Sequence, residues 1–198
     1  MPDILRHQLE PCSDRRSVLE CLLAGCLELT GTVLGNVQVM DWKTGCLAIA
    51  AQRGFNEEFL RVFRCVKADS GSACGRAIKD RGSIVIEDVL LDREFAPYRT
   101  IALEAGFRAV QSTPLISSSG AFLGVLSTHF PATHRPLDSE MRAIRRMGEL
   151  AANAMIRKQV EAQPMDAAEV AAEVAERIRQ GRETVERSYA VIRRLNAG

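Results

Sequence analysis

The sequence predicts an α+β domain: one antiparallel sheet of about five to six strands, with an N-terminal and a C-terminal helix packed on one face and a ligand pocket on the other, followed by a C-terminal helical extension. Three observations carry that prediction. Short β-prone runs separated by turn residues alternate with runs of helical period, and an amphipathic helical pattern brackets the set at each end. The stretch Gly106 to Phe130, GFRAVQSTPLISSSGAFLGVLSTHF, reads as two strands around a Gly/Ser turn. Inside it Gln111, Thr113, Ser127 and His129 interrupt apolar runs held by Val110, Leu115, Leu123, Val125 and Leu126. A sheet with one greasy face and one face lined for hydrogen bonding has this pattern, and such a face is a pocket floor.

From Ser13 to Gly31 the apolar positions Val18, Leu19, Leu22, Leu23, Cys26, Leu27 and Leu29 recur at three-to-four spacing after two N-cap candidates, Ser13 and Asp14. This is the first helix, ending at Gly31. Asn36 to Met40 and Leu47 to Gln52 are strands joined through Asp41, Lys43, Thr44 and Gly45, which is hairpin chemistry. Glu57 to Phe63 predicts a short helix, and Gly71 to Lys79 a second one with Ser70 and Ser72 as cap candidates. A strand follows over Ser83 to Glu87. Asp88 to Glu104, with Phe95, Pro97 and Tyr98, is a long irregular connection with some helix, of the kind that covers sites.

After the Gly106 to Phe130 hairpin, Pro131 to Pro136 breaks the chain. Met141, Ile144, Met147, Ala151, Ala154 and Met155 then share one face of a helix from Asp138 to about Gln159. Val37 and Val39 are expected to point to the two long helices, and Asn36, Gln38 and Met40 to the other side, with Gln52, Gln111 and His129. In Met165 to Gly198, apolar Ala171, Ile178, Val185 and Ile192 fall seven apart, but the other seam holds Gly181 and Ser188. That predicts an amphipathic helix lying on the domain or on a second subunit. The domain division is therefore an arm at 1–12, a sensor-like domain at 13–160 and a helical extension at 161–198.

The 198 residues are 46% apolar, enough to bury one sizeable core. Their 26 basic and 25 acidic residues leave a formal charge of +1, so no global field draws the chain to nucleic acid, anionic lipid or acidic substrates. The segment Met165 to Gly198, with six acidic and six basic residues, is not a nucleic-acid arm. There is no signal-peptide pattern and no run near the roughly 18 apolar residues that span a bilayer, so a cytoplasmic protein is expected. The six cysteines, Cys12, Cys21, Cys26, Cys46, Cys65 and Cys74, form no CxxC pair and no Cys/His cluster, which speaks against metal. Cys21, Cys26 and Cys46 sit among apolar residues and read as small core hydrophobes, free thiols in a reducing compartment.

Enzyme constellations are missing: there is no GxxxxGK[ST], GxSxG, HExxH or GxGxxG, and Glu87 and Asp88 are strand neighbours that point opposite ways. Seven segments in order, GNVQVMD, AAQRGF, GSACGRA, EDV, FAPYR, GFRAVQSTPL and GVLSTHF, give the stretch from about Arg15 to Gln159 a close resemblance to the GAF family of small-molecule sensor modules. The resemblance implies a bacterial sensor-kinase-type module. It also implies a ligand held between the sheet and its covering loops, and a dimer formed through the first and last helices, here Ser13 to Thr30 and Asp138 to Gln159.

Branches of that family with special chemistry are tested residue by residue. The bilin-attaching branch needs an aspartate-isoleucine-proline motif and a Cys-His pair, and neither is present. The haem branch needs an axial histidine; His129 reads instead as a strand histidine in or beside the pocket, and nothing presses His134 toward iron. The Asn-Lys-x-x-x-Phe-x-x-x-Asp-Glu motif of cyclic-nucleotide modules is absent. Sulfoxide-reducing relatives have a Cys-Gly turn like Cys74-Gly75, but the further cysteines expected near Ser83 to Val85 and Ala109 are missing. Cys74 at a helix start has either a lowered pKa, making it a redox or adduct site, or the role of a buried structural thiol.

The expectation is a noncatalytic module with no covalent bilin or haem and an unidentified small-molecule ligand. Asn36, Gln38, Gln52, Gln111 and His129 would floor its pocket, Thr113 beside them, with Ser72, Cys74 and Tyr98 closing it. Arg108, with Arg99, is either a clamp for an anionic ligand group or a solvated arginine. Ligand state would pass through the terminal helices to a dimer partner, the extension or a separate signalling protein. The competing readings are a Cys74-centred redox enzyme or sensor and a degenerate dimerisation scaffold whose pocket has collapsed.

Overall fold

The computed structural model describes residue 9 and residues 12–162. The N-terminal arm expected at 1–12 and the helical extension expected at 161–198 therefore lie almost wholly outside the described residues. The first helix, α1 (Arg15–Thr30), opens with a reciprocal cap. The Asp14 carboxylate accepts from the Ser17 amide at 2.8 Å, and the Asp14 amide donates to Ser17 Oγ at 3.2 Å. Gly31 closes α1 in the left-handed region at φ 66°, a conformation glycine adopts without cost. Strands β1 (Leu34–Asp41) and β2 (Cys46–Arg53) follow, joined by a turn in which the Asp41 carboxylate accepts from the Lys43 amide and from Thr44 Oγ1, both at 2.9 Å.

Two short helices come next, α2 (Glu57–Val62), capped by Asn56, and α3 (Ala73–Asp80), capped by Ser72. The third strand, β3 (Ile84–Ile86), precedes the connection expected to be irregular, which contains a 3-10 turn (Ala96–Tyr98) and helix α4 (Arg99–Glu104). The hairpin of β4 (Ala109–Ile116) and β5 (Phe122–Phe130) leads to α5 (Asp138–Ala162). The strands form one five-stranded sheet in the order β2-β1-β5-β4-β3, with every neighbouring pair antiparallel.

Both faces of this sheet are covered. On one, α1 supplies Val18, Leu19, Leu22, Leu23 and Cys26, and α5 supplies Ile144, Met147, Ala151 and Met155, against Val37, Leu115 and Leu126. Val37 and Val39 do point to the helices. The side chain of Asn153 on α5 also accepts from the amide and hydroxyl of Ser118, both at 3.0 Å, fixing the β4–β5 turn to the helix layer. On the other face the short helices and the long connection bury a second apolar cluster rich in phenylalanine. No helix among the described residues is long and apolar enough to cross a membrane.

One cysteine reading is overturned: Cys46 is bonded to Cys65, with the two Cα atoms 5.1 Å apart. The residues after α2 run back along the start of β2. Leu47 donates to the Val66 carbonyl at 2.8 Å and Val66 to the Leu47 carbonyl at 3.0 Å, which sets the preceding cysteines side by side. Cys26 is the buried free thiol expected, and burial pushes its pKa up to about 12. Cys21 is only partly buried and lies 3.5 Å from Cys12, sulfur to sulfur.

At the centre of the sheet Gly124 pairs with Val39 on β1 and Leu115 on β4. A Cβ there would lie 2.1 Å from the Gln38 carbonyl oxygen, a backbone atom that cannot turn away. Gly124→Ala should therefore force β1 from β5 and lower stability by about 3 kcal/mol, as other over-packed interiors do, measured by urea unfolding followed by circular dichroism. A wild-type midpoint would mean that the two strands have slack at this point.

Candidate functional site

Successive strand residues point to opposite faces, so the register decides which polar side chains meet. β1 sets Asn36 opposite Ser127, and β4 sets Ser112 on the other side of Ser127. Asn36, Ser127 and Ser112 thus form a row across three strands on the face away from α1 and α5. Gln38 lies two residues from Asn36 on β1, and His129 two residues from Ser127 on β5, so both share this face. Ser112 and Ser127 share a hydrogen bond of 2.7 Å, and Gln38 Nε2 donates to the Phe63 carbonyl at 3.2 Å. Asn36 Oδ1, Gln38 Oε1 and His129 Nδ1 are buried and have no hydrogen-bond partner within the protein. Each such atom costs about 1–3 kcal/mol if nothing satisfies it.

Aromatic rings roof this floor. Asn56 caps α2 by accepting from the Phe59 amide at 2.9 Å, and the helix turns Phe59 and Phe63 inward while Glu57, Glu58 and Arg61 face water. Phe55 stacks on Phe59 with centroids 3.7 Å apart. The His129 ring takes edge contacts from Phe55 at 4.9 Å, Phe59 at 5.8 Å and Phe107 at 4.6 Å. With 4% exposure and no carboxylate to hold a proton, its imidazole is pushed down to about 3 by burial and stays neutral.

The α3 side closes the cavity with Ser72, Ala73 and Cys74. Tyr98 OH donates to Ser70 Oγ at 3.3 Å. Ser70 and Ser72 hydroxyls are 2.6 Å apart, and Ser72 Oγ, which accepts from the Gly75 amide at 3.2 Å, is 3.3 Å from Cys74 Sγ. The Cys74 thiol is buried, and that burial pushes its pKa up in spite of the hydrogen bond from Ser72. Of the two readings weighed for Cys74, the structure matches the buried thiol: loss of water outweighs the hydrogen bonds that would lower its pKa. Arg76 pairs with Asp92 at 2.8 Å, and Asp92 also accepts from the Phe95 amide at 3.0 Å, which holds the Phe95 ring in the wall.

The enclosed space is small. About 20 Å³ is open to the centre of a water molecule, room for one or two waters at roughly 10–15 Å³ each. Of the expected site residues, Asn36, Gln38, Ser72, Cys74 and His129 line it. Five do not. Gln111 and Thr113 alternate with Val110 and Ser112, which line the cavity, and so face the helix layer, while Gln52 stands beside Asn36 and accepts from the Phe55 amide at 3.2 Å. Tyr98 sits behind the wall on Ser70, and Arg108 is taken by Asp88. Arg99 donates to the carbonyls of Val89 and Asp92, and neither arginine lines the cavity.

Sequence reasoning missed Ser112, the roofing role of Phe59 and Phe63, and the walls formed by Phe95 and Phe107. Ser112 had a signal, since it pairs with Ser127, but only register reveals it. Among the described residues no group of three His, Cys, Asp or Glu side chains is placed to hold a metal ion. The arrangement is an uncharged floor of hydrogen-bonding groups under aromatic rings.

Comparison with known proteins follows the same line. A family model described as GAF domain matches residues 12–155. Among solved structures, the GAF domain of a phosphoenolpyruvate-protein phosphotransferase from Coxiella burnetii has a TM-score of 0.68 at 14% identity, covering 81% of this chain and 94% of its own. A domain of a two-component sensor histidine kinase protein from Sinorhizobium meliloti has a TM-score of 0.61 at 19% identity, covering 75% and 96%. The free methionine-R-sulfoxide reductase of Neisseria meningitidis has a TM-score of 0.66 at 16% identity, covering 80% and 87%. At these identities the likeness is one of fold. Among curated proteins none matches the chain by sequence.

The buried neutral imidazole fixes a pH dependence. His129 takes up a proton near 6.5 when unfolded and only at about 3 when folded. Its contribution is therefore fully present above pH 6.5 and is lost as pH falls toward 3, at up to about 1.4 kcal/mol per pH unit. The stability difference between wild type and His129→Gln, from urea unfolding, should shrink by about 2 kcal/mol between pH 7 and pH 5. An unchanged difference would mean that His129 titrates normally in the folded protein.

Proposed function

Because the chain belongs to the GAF domain family, we propose that it is a noncatalytic signal-sensing module that takes a small uncharged organic molecule between the sheet and the cover formed by α2 and α3. One observation carries this reading: Asn36 Oδ1, Gln38 Oε1 and His129 Nδ1 are buried around one cavity without partners in the protein. Folding tolerates such atoms at a cost, and a guest that hydrogen-bonds to them recovers it. With about 20 Å³ free, the cover is in its closed arrangement. Admission of a guest requires Phe59 and Phe63 to swing out with α2, and the guest selects the open arrangement only to the extent that it binds that arrangement more tightly. Asn36, Gln38, Ser112, Ser127 and His129 would meet its polar edges, with Ser72 and Cys74 at the mouth.

The signal would leave through α1 and α5, which pack on the opposite face of the same strands, toward a second copy or a separate signalling protein. A cytoplasmic location with no nucleic-acid partner fits the near-neutral charge. The redox-enzyme alternative is disfavoured by the Cys74 thiol, which burial keeps protonated. The collapsed-scaffold alternative is disfavoured by the meeting of three unpartnered atoms at one cavity, whereas the unpartnered Gln111 and Thr128 side chains under the helices do not line it.

Native mass spectrometry of the full chain purified without denaturant should detect a co-purified small molecule, retained at least tenfold less by Gln38→Leu. A wild type that carries nothing, together with a Gln38→Leu variant more stable than wild type, would make the face a packing interior. For the enzyme alternative, the measurement is methionine sulfoxide reduction by wild type and Cys74→Ala: no turnover is expected from either, and a turnover lost in the variant would overthrow the noncatalytic reading.

A further inference from the structure

We infer that the Cys46–Cys65 disulfide is a redox latch on the cover of the cavity, so that reduction by a dithiol frees residues 56–65 from β2 and lets the cavity open. The part of the cover that the bond holds is one short segment. It leaves β2 after Arg53, presents Phe59 and Phe63 to the cavity from α2, and returns to the start of β2 at Cys65 and Val66. Three attachments hold its returning end: the disulfide, the backbone pair between Leu47 and Val66, and the Gln38 side chain on the Phe63 carbonyl. The disulfide is the covalent one, and it stands two residues from Phe63.

Its two sulfurs differ in access. Cys65 is exposed, whereas Cys46 is 5% exposed. An incoming thiolate therefore reaches Cys65 Sγ, forming a mixed disulfide and expelling Cys46 as a thiolate that takes up a proton. The second thiol of the reductant then attacks its own sulfur in the mixed disulfide, releasing Cys65 and leaving as a cyclic disulfide. Two electrons and two protons pass to the protein, and a peroxide or disulfide oxidant that later takes them up re-forms the bond. The bond closes a loop 19 residues apart in sequence that carries β2 and this part of the cover. The α1–α5 layer and the β1–β5–β4 pairings do not depend on it. A cut there loosens the roof without dismantling the domain, and in a reducing compartment a disulfide of this kind is one that opens and closes.

The latch rests on the cavity reading for its consequence, and its test needs no guest. Amide hydrogen exchange of the full chain is followed by mass spectrometry before and after treatment with dithiothreitol. Peptides spanning residues 55–66 should exchange about tenfold faster after reduction, with β4, β5 and α5 unchanged. The double variant Cys46→Ser, Cys65→Ser should show the fast exchange without reductant and no response to it. Unchanged exchange over 55–66, acceleration spread over the whole domain, or two free thiols at these positions in air-oxidised protein would each overturn the latch. A latch that responds in a protein retaining no small molecule would fault the cavity reading alone.

Discussion

Uncharged hydrogen-bonding groups buried beneath aromatic rings are the constraint on which the rest of this structure depends. A sheet covered on both sides is most stable with apolar residues on both faces. Here the face under α1 and α5 buries Gln111, Thr113 and Thr128 among its apolar residues, while the other gathers Asn36, Gln38, Ser112, Ser127 and His129 around one cavity. Loss of water forces the ionisable member, His129, to be neutral. The same exclusion of water raises the Cys74 thiol and leaves the Ser112–Ser127 pair to satisfy itself. The site is therefore set for polarity without charge, and the nearby charges are spent in pairs around it, Arg76 with Asp92 and Arg108 with Asp88.

The cover follows from that floor. Phe55, Phe59, Phe63, Phe95 and Phe107 arrive from separate segments, and each is held by a specific local device. The Asn56 cap orients α2, the Asp92 carboxylate caps the Phe95 amide, and Gln38 reaches up to the Phe63 carbonyl. That last bond joins floor to roof directly. Breaking it would leave both ends of the Gln38 amide without a partner, since Oε1 already has none.

Much of the fold was legible because its signals are local. The period of Val18 to Leu29 and of Met141 to Met155 gives the two helices, Asp14 and Gly31 mark the ends of the first, and the Asp41 to Gly45 turn marks a hairpin. On β1 and β5 the polar residues with the right parity, Asn36, Gln38, Ser127 and His129, were also visible. β4 was misread by one residue. Because both faces are buried, Val110 and Leu115 are both apolar yet belong to opposite clusters, so alternation of apolar and polar does not say which side is which. Gln111 and Thr113 look the more polar, but pairing of Ser112 with Ser127 puts them toward the helices. The Cys46–Cys65 bond was illegible for a related reason: it depends on where the chain after α2 returns, a non-local fact settled by the Leu47–Val66 bridge.

The central claim is that the polar face exists for a guest. Nitrogen chemical shifts of the His129 imidazole and the Gln38 side-chain amide report on the unpartnered atoms directly. They should be compared in protein as purified and in protein stripped of small molecules by unfolding and oxidative refolding. The account predicts that both groups shift on stripping and return when the released fraction is added back. Identical spectra in the two preparations, with no response to that fraction, would contradict it.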